Sequence, residues 1–63
     1  MVEIIFRKNE KEIYYNGVKF TEDTRINRLI FSTKAIAEKE ISDILLKIGE
    51  NSIEWEYNSS QNI

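Results

Sequence analysis

The chain has 63 residues, 41% hydrophobic and 32% charged, with a net charge of −2 and neither cysteine nor histidine. That content of aromatic and β-branched residues belongs to a globular chain rather than a disordered one, and the length to a single domain. The two absent residue types exclude disulfides, thiolate nucleophiles, thiolate or imidazole metal ligands and the commonest general base.

Val2, Ile4 and Phe6 alternate with Glu3, Ile5 and Arg7, a strand of period two with one apolar exception at Ile5. A second strand follows Asn9 and Glu10 through Glu12, Ile13, Tyr14 and Tyr15, across a loop of either two or four residues. Asn16-Gly17 then precedes Val18-Lys19-Phe20-Thr21. Such a dipeptide between β-formers predicts a two-residue hairpin turn, because both residues tolerate positive φ. This register pairs Tyr15 with Val18, Tyr14 with Lys19 and Ile13 with Phe20. The first hairpin sets Arg7 opposite Glu12, Phe6 opposite Ile13 and Ile4 opposite Tyr15. The core face of the meander then holds Phe6, Ile13 and Phe20 in one row and Ile4, Tyr15 and Val18 in the next. The other face carries Arg7, Glu12, Ile5, Tyr14 and Lys19.

Between Thr24 and Phe31 two patterns compete. Ile26 and Ile30 extend a helical stripe back from Ala37, while Leu29-Ile30-Phe31 also suits a short strand; a helix is the expectation. From Thr33 to Gly49 the period is helical, with Ala37, Ile41, Ile44, Leu45 and Ile48 as the buried stripe. Ser32 or Thr33 is the N-cap, Gly49 supplies the left-handed residue that ends the helix, and Lys47 suits the last turn. Ile53, Trp55 and Tyr57 alternate with Glu54 and Glu56 in a closing strand, with Trp55 as core anchor. The expected fold is α+β: a three-stranded antiparallel meander, one helix on one sheet face and a C-terminal edge strand (βββαβ), over residues 1–58, with a flexible polar tail at 59–63.

A domain this short buries a small core, and without staples oligomerisation or a partner is the remaining supplement. Met1 to Arg7 has no basic leader and no membrane-spanning run is present, so a cytoplasmic location and no membrane partner are expected. Residues 1–34 carry seven basic and five acidic side chains and residues 35–63 two and six, which makes the second half the acidic one.

Carboxylates are the only groups left for acid–base work. Glu54 and Glu56 share a strand face about 7 Å apart, without further ligands for a cation. Glu38, Glu40 and Asp43 are surface charges of the helix. Serines and threonines lack both a glycine elbow and an activating base, and two glycines build no phosphate cradle. No catalytic residue, metal site or cofactor is therefore expected.

Arg7, Lys8, Lys11, Tyr14 and Lys19 mix basic and aromatic groups as in a single-strand nucleic-acid module, without its glycine-aromatic motif. Ile5 beside Tyr14 on the open sheet face, and Ile36 and Leu46 off the helix stripe, are apolar groups that lack cover. With Lys19 and the acidic Glu50, Glu54 and Glu56 they form the expected partner-binding set. The leading expectation is a non-catalytic protein-binding regulator, for instance a small phage or mobile-element inhibitor that occludes a host protein. A nucleic-acid-binding module and a structural or assembly homodimer are the alternatives.

Overall fold

The sheet is organised around β1 (Val2–Lys8), which pairs antiparallel with β2 (Lys11–Tyr15), β4 (Ile30–Phe31) and β5 (Glu54–Tyr57), while β3 (Phe20–Thr21) extends β2; α1 (Lys34–Ile48) lies between β4 and β5 in the chain. The computed structural model describes residues 1–58, so the tail expected at 59–63 lies outside the described residues. The fold is α+β, with the C-terminal strand bonded directly to β1 in the register Phe6 to Trp55 and Ile5 to Glu56. Among the described residues no helix is long and apolar enough to cross a membrane.

Backbone groups of successive residues in a strand point to opposite edges. The Asn58 amide donates to the Glu3 carbonyl at 2.9 Å and the Ile4 amide to the Leu29 carbonyl at 3.0 Å. Odd residues of β1 therefore face β5, while its even residues face β2 at one end and β4 at the other. Pairing with β2 covers only Phe6, Arg7 and Lys8. Tyr15 is consequently not opposite Ile4, whose amide is taken by the chain leading into β4.

The first hairpin closes with a two-residue loop in which Asn9 (φ 54°) and Glu10 (φ 67°) are both left-handed, as a type I′ turn requires. The second hairpin does not use the expected two-residue turn. Only Gly17 (φ 100°) has positive φ there, and the Asn16 side chain accepts from the Val18 and Lys19 amides at 2.8 and 2.9 Å. This Asx-type closure widens the loop to four residues, and Tyr15 pairs with Phe20 and Tyr14 with Thr21. A shift of two preserves the faces but moves Val18 off the core, where it is 74% exposed. Glutamate in a left-handed position carries a steric cost that glycine avoids. Glu10→Gly is expected to raise stability by about 0.5–1 kcal/mol, partly offset by the looser unfolded chain, and to raise the thermal midpoint by a few degrees in a calorimetric scan.

Residues 24–29 are not helical, and 30–31 form the short strand rather than a helical turn. The Asp23 carboxylate accepts from the Arg25 amide at 3.0 Å, and the Ile26 amide donates to the Asp23 carbonyl at 3.2 Å, which turns the chain at this point. Leu29 and Phe31 then pack on the core from the β4 side. Thr33 caps α1, accepting from the Ile36 amide at 3.2 Å, and Gly49 (φ 77°) ends it by donating to the Leu45 carbonyl at 2.9 Å.

The core joins Ile4, Phe6 and Ile13 of the sheet to Ala37 and Ile41 of the helix and to Ile53. Phe20 meets Phe6 edge-on at 4.8 Å and Tyr15 at 5.2 Å. Ile44, Leu45 and Ile48 of the stripe are half-buried. Trp55 is half-buried as well, so it is not the deepest anchor; Ile4 and Ile41 are the largest side chains wholly withdrawn from water.

Candidate functional site

Two surfaces meet along β5. On its core-side face a groove of about 500 Å³ opens between the helix and the strand. Glu38, Ser42, Leu45 and Leu46 line it from α1, and Ile53 and Trp55 from the strand side. Ser42 lies one turn from Glu38 on one side and from Leu45 and Leu46 on the other, which sets the four along one flank of the helix. The left-handed Gly49 ends the helix, and Glu50, Asn51 and Ile53 beyond it also line the groove. Glu50 is anchored there by the Lys8 ammonium.

At the other end Tyr57 fastens strand to helix. Its hydroxyl donates to Glu38 at 3.1 Å, its ring meets Trp55 edge-on at 5.3 Å, and the Lys34 ammonium stands 5.1 Å above it. Burial, and next the adjoining Glu38 carboxylate, push the phenol pKa upward, so the hydroxyl keeps its proton and its donor role. Among the described residues no basic side chain lines the groove; the charged groups that do are Glu38 and Glu50.

The opposite face of the sheet is polar and internally paired. Arg28 donates to Glu12 at 2.6 and 3.1 Å and to Glu3 at 3.3 Å, and Arg7 pairs with Glu56 at 3.0 Å. Arg7 and Glu12 are cross-strand neighbours as expected, but each forms its ion pair elsewhere. The Arg28 hydrogen bond is the main cause of a lowered Glu12 pKa, and the Glu12 carboxylate raises that of Arg28. Arg28 thus ties Glu3 of β1 to Glu12 of β2 on this face. Ile5 is 8% exposed and unavailable to a partner, contrary to expectation.

Of the expected partner-binding residues, Leu46 and Glu50 come together at the groove, and Glu54 and Glu56 project from the other face of the same strand. Ile36 is exposed on α1 but outside the groove. Tyr14 is half-buried on the outer face of β2 and pairs with Thr21, so Lys19, in the widened turn, is not its neighbour. The basic set is likewise dispersed: Arg7 and Lys8 are in ion pairs with Glu56 and Glu50, while Lys11 and Lys19 are exposed at separate hairpin ends. Among the described residues no three carboxylates gather closely enough to hold a metal ion.

Strand alternation makes Trp55 a core anchor, and it does pack against the core, but the alternation gives no sign that the indole also lines the groove. Its position four residues beyond Asn51, in a strand alternating with glutamates, carried no signal that the helix would leave one side of the indole uncovered. No family model, curated protein or solved structure matches this chain.

Proposed function

We propose that the chain is a non-catalytic protein-binding regulator that engages its target through the α1–β5 groove, in the manner of a small phage or mobile-element inhibitor that occludes a surface of a host protein. The observation that carries this reading is Leu46, 82% exposed on the rim of a groove whose wall includes the Trp55 indole. A leucine left in water beside a half-covered tryptophan gains most from a partner's apolar side chain, and aromatic groups in such clefts tend to dominate binding energy. Glu54, on the far face of β5 and in no ion pair among the described residues, favours association with a basic group of the partner.

The test is site-selective photocrosslinking in cells that make the protein, with a benzoylphenylalanine placed at residue 46 or, for comparison, at residue 18. Val18 is also exposed, at 74%, but lies in the β2–β3 turn. The expected result is one predominant foreign protein captured from residue 46, absent from residue 18 and lost when Ser42→Arg fills the groove from the helix side. Equal capture from both positions, or capture only of a second copy of the chain, would overturn the reading; the latter would identify a homodimer.

A further inference from the structure

We infer that the occupant of the groove is an extended segment of the partner, with basic and apolar residues in alternation, that adds to the sheet as a strand antiparallel to β5. This rests on the protein-binding reading above and specifies its mode. The first observation is the open edge. The Asn58 amide bonds to the Glu3 carbonyl, and the register sets Ile5 opposite Glu56 and Arg7 opposite Glu54. Glu54, Glu56 and Asn58 therefore direct their backbone groups inward to β1, and Trp55 and Tyr57 direct theirs outward. Among the described residues no strand pairs with that outer edge.

The second observation is what flanks the edge on each side. A strand laid beside β5 projects alternate side chains to opposite faces. Those opposite Trp55 and Tyr57 enter the groove beneath Leu46 and Leu45. Those opposite Glu54 and Glu56 meet two carboxylates, of which Glu54 has no ion pair among the described residues. Main-chain bonds along an exposed edge supply affinity, and pockets for alternate side chains supply selectivity, in this type of recognition. An apolar residue facing the groove and a lysine or arginine facing the carboxylates satisfy both sides at once.

The same charges argue against a second copy of the chain. Joining two β5 edges into one continuous antiparallel sheet opposes residues of the same face. Glutamates of one copy then meet glutamates of the other, which is destabilising and is a known protection of sheet edges against self-pairing.

The test uses the intact protein and a short capped peptide alternating lysine with leucine, followed by amide chemical shifts and hydrogen exchange at millimolar peptide. Binding is expected to slow exchange of the Trp55 and Tyr57 amides and to shift the fluorescence of the single tryptophan. N-methylation of the leucines removes the donors aimed at β5 and is expected to abolish binding, whereas N-methylation of the lysines, whose amides face away, leaves it. Glu54→Lys is expected to weaken binding about tenfold with the free-protein spectrum otherwise preserved. Absence of binding, binding without protection of those two amides, or equal loss with either N-methylated peptide overturns the strand-addition mode. Selective crosslinking from residue 46 under the same circumstances would leave the protein-binding reading standing with a different kind of occupant.

Discussion

Ile41→Ala is expected to leave the chain largely unfolded at room temperature. Ile41 is wholly buried and sits where the helix meets Ile4, Phe6 and Ile13 of the sheet. Truncating such an isoleucine costs about 2–5 kcal/mol, the sum of lost transfer energy and the cavity left behind. A core of this size rarely supplies more than about 3–5 kcal/mol in total, so one substitution consumes most or all of it. Far-UV circular dichroism across a urea titration checks this, with Ile36→Ala as comparison. Ile36 lies on the same helix but is 46% exposed, and its truncation is expected to change the midpoint little. An Ile41→Ala chain that unfolds at the wild-type midpoint would mean that α1 does not pack through this face.

The second large effect is expected from Arg28→Ala, and its signature is a change in pH dependence. Arg28 has 32% of its side-chain area exposed, Glu3 20% and Glu12 26%. Removing the guanidinium strips the Glu12 carboxylate of its main partner and Glu3 of an ion pair. A cost of about 1–2 kcal/mol near neutral pH is expected, below that of a fully buried pair because solvent reaches the arginine. In the intact protein Glu12 is held below its ordinary value of 4.5 by the Arg28 hydrogen bond. The stability this contributes is present in full above that value and is lost as pH falls through the lower, folded-state value. Without Arg28 the largest cause of that lowering is gone, so the variant has less stability to lose as Glu12 takes up a proton. The stability gap between the two proteins should therefore narrow on acidification, as measured by urea midpoints at neutral pH and below the carboxylate range. A gap that stays constant would mean that the bridge is not formed in solution.

These two residues also show where sequence patterns inform and where they fall silent. Ile41 belongs to a helical stripe, and β1, β2, β5 and α1 with its Thr33 and Gly49 caps follow from periods and end signals contained within a few residues. Arg28 acts across 16 residues to Glu12 and 25 to Glu3, and no local pattern announces that reach. The same cause underlies the segment 24–31, which turns at Asp23 to Ile26 and then meets β1 through the bond from the Ile4 amide to the Leu29 carbonyl, a contact 25 residues away in sequence. The Asn16-Gly17 register failed for a local reason: the asparagine side chain closes the turn itself, in competition with the backbone geometry that its dipeptide favours. At the candidate site, Leu46 and Glu50 were recognisable as off-stripe or acidic residues. Their union with Trp55 depends on how far the helix overhangs the strand, which is a tertiary quantity.

Of the three strands that pair with β1, only β2 is its neighbour in sequence; β4 and β5 come from distant parts of the chain. A chain cut within α1 would leave β1 with one edge bare and the helix without the floor that β5 and Ile53 provide. No half of the domain is therefore an autonomous piece, and the molecule should behave as a single cooperative unit whose parts are gained or lost together. Should the chain act as proposed, a protease that nicks the helix once would disable the β5 edge together with the rest of the fold.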